Sequence, residues 1–495
     1  MEKSRRKIGV GILTYNRPEY YQQVLESIPK DRIDCLVIVN DGAFSYVKDQ
    51  DGDCVVKNNK QLGVSISKNI ILKKIIEQYD CEHVFLIEDD IIIKDPNVFD
   101  EYIKAANTTG IHHLSFAKIQ KNEETLKYVL KHSNGIDIGF YHNPKGAFMY
   151  INATLVKKLG FFDENYINAY EHIDFTYTLT RNNVAPPFWY FPDILNSDKY
   201  LDIVEGSVDN STISNRENYV KNANLSSDYW IKKWGSFTIN IEEDDLRTLN
   251  QKLAILQSRY SRKKLVNKGK KLSIIIPYRN RREALDKIIP SLTEYVSKQV
   301  EDFEIIVVEQ SNNNPFNKGL LNNIGFCNSS KNSDYFCFHD VDLIPEFSDY
   351  SFPVMPTHMS THCSQFNYIN IPDKIMGGVI LFNKEHLLTV NGYSNEFVGW
   401  GKEDDDLYKR CEIENLTPYK SQLGAFYSVP HIHRLSDPLE NQLHEKNGLR
   451  FKKFSEGLLA KDYHKSDGIS NCLSFVKTID IKIIENKYKH ILVDF

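Results

Sequence analysis

No stretch of this sequence approaches the roughly 20 consecutive apolar residues that span a bilayer, so no transmembrane helix is predicted within it. Nor does the start, MEKSRRKIGVGILTYN, have the apolar centre of a signal peptide: its basic residues pass straight into a strand-like run. Cysteine is sparse, with 8 in 495 residues, scattered and without a C-x-x-C pair. That argues against structural zinc and against a disulfide framework, and for reduced thiols in a cytosolic protein. Basic excess is also missing. The formal net charge of -5 makes nucleic acid an unfavourable partner, because phosphate binding wants a basic face.

What is present is the composition of a globular chain, 41% hydrophobic and 26% charged, long enough for two or three domains. Tyr and Phe are abundant, 28 and 27, which suits sugar binding and equally suits packing.

The chain starts the same way twice. IGVGILTYN at 8–16 and LSIIIPYRN at 272–280 are β-branched runs that end in a polar turn. A second run follows each, CLVIVNDG at 35–42 and FEIIVVEQS at 303–311. The third runs end in acids: HVFLIEDDI at 83–91 and YFCFHDVDLIP at 335–345. Strand, helix, strand, helix, strand at this spacing predicts an α/β fold, with two tandem domains built on parallel sheets of βαβ units. Both acidic clusters then fall at carboxyl ends of strands, where such sheets bind ligands. The expected boundaries are 1–240, a linker at 241–270, 271–465, and a closing segment at 466–495. In the linker Leu246, Leu249, Leu253 and Leu256 mark one helical face. The basic stretch 259–271 after it reads as a solvated connector, or as a contact for an anionic membrane surface or an acidic polymer.

Three motifs carry chemistry in the second half. Asp340 and Asp342 end a strand with their carboxylates on one side, hard oxygen ligands for Mg²⁺ or Mn²⁺ on a nucleotide diphosphate. His431 and His433, if extended, share a face and can join the same ion. Gly399-Trp400-Gly401 presents an indole as a platform for a sugar, and four carboxylates from Glu403 to Asp406 then open a helix. The helix dipole accounts for one or two of those acids; one beside a sugar platform can act as a general base.

The segments PYRNRREAL (277–285), PFNKGLLNNIGF (315–326), DVDLIP (340–345), MGGVILFNKEHLLTVNGY (376–393), GWGKEDDDLYKR (399–410) and HIH (431–433) resemble, in order and spacing, the β-1,4-galactosyltransferase family over roughly residues 271–435. The resemblance implies a GT-A fold and an inverting transfer from a UDP-sugar. It makes Asp342, His431 and His433 ligands of Mn²⁺ (or Mg²⁺), Asp404 the base, and Trp400 and Glu403 walls of the acceptor and donor pocket. Pro277, Tyr278, Arg279 and Arg281 would line the uridine end, with Phe316, Asn317 and Lys318 nearby. Gly377 and Gly378 would let backbone approach the donor sugar, close to Asp340. Because UDP with a bound metal leaves without a proton, one base suffices, unlike the two carboxylates of a glycosidase. Ile375 stands where galactose-selective members usually carry Tyr. The extra room favours UDP-GalNAc over UDP-Gal. The membrane anchor of animal Golgi members is not found, so a bacterial-type cytoplasmic enzyme is expected, possible contact with the inner face of the plasma membrane included.

The first half is similar to inverting family 2-like GT-A glycosyltransferases over roughly residues 7–200. Thr14, Tyr15, Asn16 and Arg17, with Asp41 and Gly63, are its expected donor-binding turns. Asp90, aided by Glu88 or Asp89, is its expected metal ligand, and Glu171 or Asp174 its expected base. Two linked transferases would extend a bacterial surface polysaccharide, each site raising the effective concentration of the acceptor at the other. The alternatives are one active C-terminal transferase beside an inactive N-terminal domain, and a carbohydrate-binding protein without turnover.

Overall fold

The computed structural model describes residues 7–42, 44–118, 126–132, 134–142, 146–166, 168–207, 210, 219–235, 246–369, 376–430, 438–457, 462–485 and 487–495. The chain divides into two compact units, Met1–Leu130 with Ile136–Ser261, and Lys131–Gly135 with Arg262–Phe495. No helix among the described residues is long and apolar enough to cross a membrane.

The first unit contains strands β1 (Ile8–Thr14), β2 (Cys35–Asn40), β3 (Cys54–Lys57), β4 (His83–Glu88), β5 (Ile91–Ile93), β6 (His113–Ser115), β7 (Leu126–Leu130), β8 (Ile138–Tyr141), β9 (Phe148–Asn152), β10 (Phe191–Ile194) and β11 (Leu201–Ile203). Its helices are α1 (Pro18–Ser27), α2 (Val64–Lys73), α3 (Val98–Thr109), α4 (Ala153–Leu159), α5 (Glu171–Arg181), α6 (Tyr219–Trp234) and α7 (Leu246–Tyr260). The main sheet runs β3-β2-β1-β4-β9-β6. Its first four strands are parallel, and β9 turns antiparallel to both β4 and β6. All of β1 and β2 is buried, as expected of strands covered on both faces. A Cβ on Gly11 would stand 2.0 Å from Ile71 of α2, so the glycine is what lets that helix lie against the strand.

The second unit contains helix α8 (Lys263–Val266), then β12 (Lys271–Tyr278), α9 (Arg282–Ser297), β13 (Asp302–Gln310), α10 (Lys318–Cys327), β14 (Tyr335–His339), β15 (Leu343–Phe347), β16 (Thr357–His358), β17 (His362–Cys363), β18 (Val379–Asn383), α11 (Lys384–Thr389), α12 (Glu403–Ile413), β19 (Tyr419–Lys420), β20 (Ala425–Ser428), α13 (Pro438–Ser455), β21 (Thr478–Ile484) and β22 (Tyr488–Asp494). The large sheet runs β19-β16-β18-β14-β12-β13-β22-β21, with β15-β20-β17 as a small separate one. Again the centre is parallel and the strand beside the third βα repeat, β18, is antiparallel. Here the close approach is made from the helix side: a Cβ on Gly325 of α10 would lie 2.4 Å from Ile275 of β12.

Both sheets are therefore mixed rather than wholly parallel. Each third apolar run breaks at its acids into two strands, β4 and β5 or β14 and β15, that belong to different sheets. The acids sit in the break, on a turn, because a carboxylate pair cannot continue a buried strand without partners. The linker helix is α7, with Leu249, Leu253 and Leu256 buried and Leu246 exposed. It packs within the first unit against α3. The basic stretch is not wholly solvated: Lys263 is buried, its ammonium 3.1 Å from Asp349. The closing segment adds β22 alongside β13 and β21 outside it.

Candidate active site

In the second unit the backbone of Asp340, just past β14, is tied to the loop before β18: its amide donates to Gly378 O at 3.0 Å. Helix α10 starts one strand away, capped by the Asn317 side chain accepting from Leu320 N at 2.9 Å. That cap delivers Lys318 to the end of β14. Its ammonium lies 3.1 Å from Asp340, 3.1 Å from Asp404 and 3.8 Å from Glu403. One cation thus gathers three carboxylates from a strand end and a helix start. Burial works against charge on Lys318, but Asp340, Asp404 and Glu403 outweigh it and hold the ammonium well above its ordinary range.

Asp404 itself keeps 20% of its side chain exposed. Burial pushes its carboxyl up to about 8, against the pull of Lys318 and with repulsion from Glu403 and Asp340. Glu403 is raised too, by burial first. The Tyr393 hydroxyl donates to Asp404 at 3.4 Å. A Cβ on Gly377 would stand 2.7 Å from Asp404 Oδ2, so any side chain there would displace the carboxylate. Gly378 has φ +83° and is pinned by Ser360, whose hydroxyl donates to Gly377 O at 2.8 Å and accepts from Val379 N at 2.9 Å.

Helix α12 is held from beneath. Arg410 and Asp406, both with 0% of the side chain exposed, pair at 2.6 Å. Arg410 also donates to Asp467 O at 2.7 Å, and the Tyr463 hydroxyl donates to Asp406 at 2.8 Å. Asp406 is thereby structural, while Asp404, on the same turn, meets Lys318 and Tyr393 instead. Before the helix, Gly399, Gly401 and Lys402 all adopt positive φ, and Asn447 donates to the carbonyls of Val398 and Gly401, each at 3.0 Å. Trp400 is left 53% exposed, with His444 beside it at 4.9 Å between ring centroids.

The expected uridine residues divide. Pro277 and Tyr278 end β12 buried, Tyr278 inside the core with Ala284 and Leu285. Arg279 lies over the Phe316 ring at 5.3 Å, and Asn317 is buried as a cap. Arg281 pairs with Asp342. Asp342 is the one described member of the expected metal set; His431, His433 and also Ile375 lie outside the described residues. A carboxylate with two imidazoles is a donor set that suits Mn²⁺. Among the described residues alone no group of three His, Cys, Asp or Glu is placed to hold a metal.

In the first unit Asp89 is committed: it accepts from the Thr14 hydroxyl at 2.7 Å, Tyr15 N at 3.2 Å and Arg17 at 2.9 Å. Asp90 stands 3.7 Å from Arg17, and its Oδ1 is buried without a hydrogen-bond partner among the described residues, as are Asn16 Oδ1 and Arg17 Nε. Burial pushes Asp89 to about 6 and Asp90 to about 7. Asp41 accepts from the amides of Leu62 and Gly63 at 2.8 and 2.9 Å, fixing the loop before α2. Glu88 turns to Lys68 at 2.8 Å. Of the two expected bases, Asp174 is taken by Lys233 and Trp234 Nε1, each at 2.8 Å. Glu171 is near Lys68 at 3.5 Å and accepts from His172 Nδ1 at 3.2 Å. Despite its burial, the hydrogen bond from His172 and the charge of Lys68 hold Glu171 down to about 2.

The bridging role of Lys318, and Lys68, Tyr393, Ser360 and His172 altogether, escaped the reading of the sequence. A lone lysine near a helix start carries no motif, and its value lies in what three distant segments bring to it.

Comparison with known proteins falls on the C-terminal region. Residues 230–352 match the N-terminal region of glycosyl transferase group 7, and residues 357–432 match a model described as the N-terminal domain of galactosyltransferase. Human beta-1,4-galactosyltransferase 6 is 35% identical over 210 residues, covering 40% of this chain and 55% of that one. Rat beta-1,4-galactosyltransferase 4 is 31% identical over 231 residues, covering 46% and 63%. The chain thus spans about half the length of these curated relatives. Among solved structures, a mutant of Drosophila β-1,4-galactosyltransferase 7 with manganese, UDP-Gal and xylobiose aligns over 46% of this chain and 93% of its own, at 22% identity and TM-score 0.33. A mannosyltransferase from Pyrobaculum calidifontis with GDP-Man and Mn²⁺ aligns over 37% and 56%, at 15% identity and TM-score 0.27. Residues 230–352 and 357–432 carry glycosyl transferase group 7 domains, in a C-terminal region that matches β-1,4-galactosyltransferases.

Proposed function

We propose that the chain is a UDP-sugar-dependent glycosyltransferase whose C-terminal unit transfers galactose or N-acetylgalactosamine to a saccharide hydroxyl with inversion. The observation that carries this reading is Asp404, held 3.1 Å from Lys318 and pressed against the Gly377 backbone. It is a carboxylate that burial makes basic, seated in the space that a side chain at position 377 would take.

In this reading the acceptor stacks on Trp400 and its hydroxyl gives a proton to Asp404 as the oxygen attacks the anomeric carbon. Lys318 keeps the carboxylates of Asp340 and Glu403 from repelling the ionised base. Arg279 and Arg281 stand at the nucleotide end. Asp342 with His431 and His433 would hold Mn²⁺, which when bound neutralises charge on the departing diphosphate. The donor is UDP-Gal, or UDP-GalNAc given the aliphatic residue at 375.

The test is UDP release with Mn²⁺ and simple sugar acceptors, for wild type and Asp404→Asn. Loss of turnover with UDP-sugar binding kept supports the base. Unchanged turnover removes Asp404 from that role, and loss of binding as well favours a carbohydrate-binding protein. Ile375→Tyr should move donor preference towards UDP-Gal; an unmoved ratio rejects the selectivity argument.

The finer reading adds a second transfer in the N-terminal unit, so that two activities build a bacterial surface polysaccharide. Asp90 Oδ1, buried and without a hydrogen-bond partner among the described residues, supports a ligand there.

A further inference from the structure

The two units, each taken by itself, repeat one wiring diagram. After the first strand, Asn16 and Asn280 both have φ +52°, and the next residue but none, Arg17 or Arg281, pairs with the acid that follows the third strand, Asp90 or Asp342. At the end of that strand the amide of Glu88 donates to Ala147 O at 2.7 Å, as Asp340 donates to Gly378 O at 3.0 Å. Asn152 and Asn383 each close the antiparallel strand and cap the helix after it through the side chain. A buried lysine serves each unit from a different helix position: Lys68, the fifth residue of α2, reaches Glu88 and Glu171, and Lys318, the first of α10, reaches Asp340 and Glu403. The site helices α5 and α12 both start after a residue in the left-handed region, Tyr170 at +71° and Lys402 at +76°.

This repetition fixes a correspondence that the acidic spelling of the sequence conceals. Glu171 matches Glu403, on the lysine. Asp174 matches Asp406, the buried acid that anchors the helix, here through Lys233 and Trp234. The residue matching Asp404 is His172. A Cβ on Gly146 would stand 3.2 Å from the His172 ring, as one on Gly377 would stand 2.7 Å from Asp404. The two side chains are equally accessible, 21% for His172 and 20% for Asp404. Lys68 donates to Gly146 O at 3.1 Å, which brings the lysine to the same glycine that His172 meets.

We propose that the N-terminal unit holds a second sugar-transfer centre in which His172, not Glu171 or Asp174, is the group that takes the acceptor proton. This rests on the finer reading above, that the N-terminal unit is active. Glu171 is an ionised acceptor that Lys68 pins in place, so it fixes the proton of the imidazole on Nδ1 and leaves the Nε2 lone pair as the base. The substrates are a nucleoside diphosphate sugar and a saccharide hydroxyl. The hydroxyl oxygen bonds to the anomeric carbon, its proton passes to His172 Nε2, and the bond from that carbon to the diphosphate oxygen breaks with its electron pair leaving on the diphosphate. Asn16, Arg17 and Asp90, each with a buried atom lacking a partner among the described residues, line the end of the same sheet where the diphosphate would lie.

The experiment uses the full chain carrying Asp404→Asn, which silences the C-terminal centre. UDP release is followed with Mn²⁺ and UDP-Gal, UDP-GalNAc, UDP-Glc, UDP-GlcNAc or UDP-GlcA, the acceptor being the saccharide product of the wild-type chain. One donor should still be consumed, and adding His172→Gln should lower kcat about 100-fold or more with KM held within about threefold. An unchanged thermal transition shows that the added substitution leaves the fold intact. If kcat persists in His172→Gln, the assignment of His172 is overturned while a second activity stands. If no donor is consumed by the Asp404→Asn chain, the second activity itself is absent and both readings fall.

Discussion

Asp404 shows what a residue inherits from its neighbours. A carboxyl raised to about 8 is protonated at neutral pH, so transfer that depends on its basic form should rise with pH and level off above about 8. A kcat–pH profile at saturating donor checks this. Lys318→Met removes the cation that favours ionisation, so the same profile should move further alkaline, with kcat at pH 7 reduced. The raised value also bears on stability. The unfolded carboxyl releases its proton near 4 while the folded one keeps it to about 8, so the group costs stability progressively as pH rises between those values. Asp404→Asn should therefore raise the melting temperature at pH 8 while lowering kcat by about 10²–10⁴. In the sequence Asp404 was identified through resemblance, but four consecutive acids look alike. Only contacts separate them: Glu403 and Asp404 on Lys318, Asp406 on Arg410, and Asp405 near Lys402 at 3.5 Å.

At the scale of the element, helix α12 is the part on which the site depends, and its footing is the ion pair of Asp406 and Arg410. Removing one partner of a fully buried pair strands the other, at a cost of about 3–5 kcal/mol. Arg410→Met should lower unfolding stability by that order in denaturant titration, and should reduce kcat because the first turn carrying Asp404 loses its support. The loop before β18 gives a second test. Gly377→Ala places a methyl where the Asp404 carboxylate sits, so kcat should fall at least about tenfold, as expected when a reacting group is misplaced, with the melting temperature little changed. Periodicity made these elements legible: the β-branched runs became β1, β2, β12 and β13, and the leucine spacing became α7. The antiparallel insertions β9 and β18 were not legible, because a buried apolar run has no mark of its direction. Direction is set by which neighbour's hydrogen bonds it completes.

For the whole molecule, metal removal is the broadest test. Chelation should abolish UDP release and Mn²⁺ should restore it, with Asp342→Ala losing the C-terminal activity and Asp90→Ala a different donor if both units work. The sequence by itself determined the two α/β halves and the acids at their strand ends. Alternation, chain order and motif spacing are local quantities and survive without coordinates. The tertiary structure alone decided which acid does what, because a carboxylate's role depends on the cation and the burial it meets, and these come from segments far apart in the chain. Lys68 and Lys318 are single residues without a motif, each made meaningful by a strand turn and a helix start that fold around it. The match of His172 to Asp404 is of the same kind. It is written in helix register and in the glycine that each position meets, not in the letters of either segment: His172 lies against Gly146 as Asp404 lies against Gly377, each the second residue of its helix.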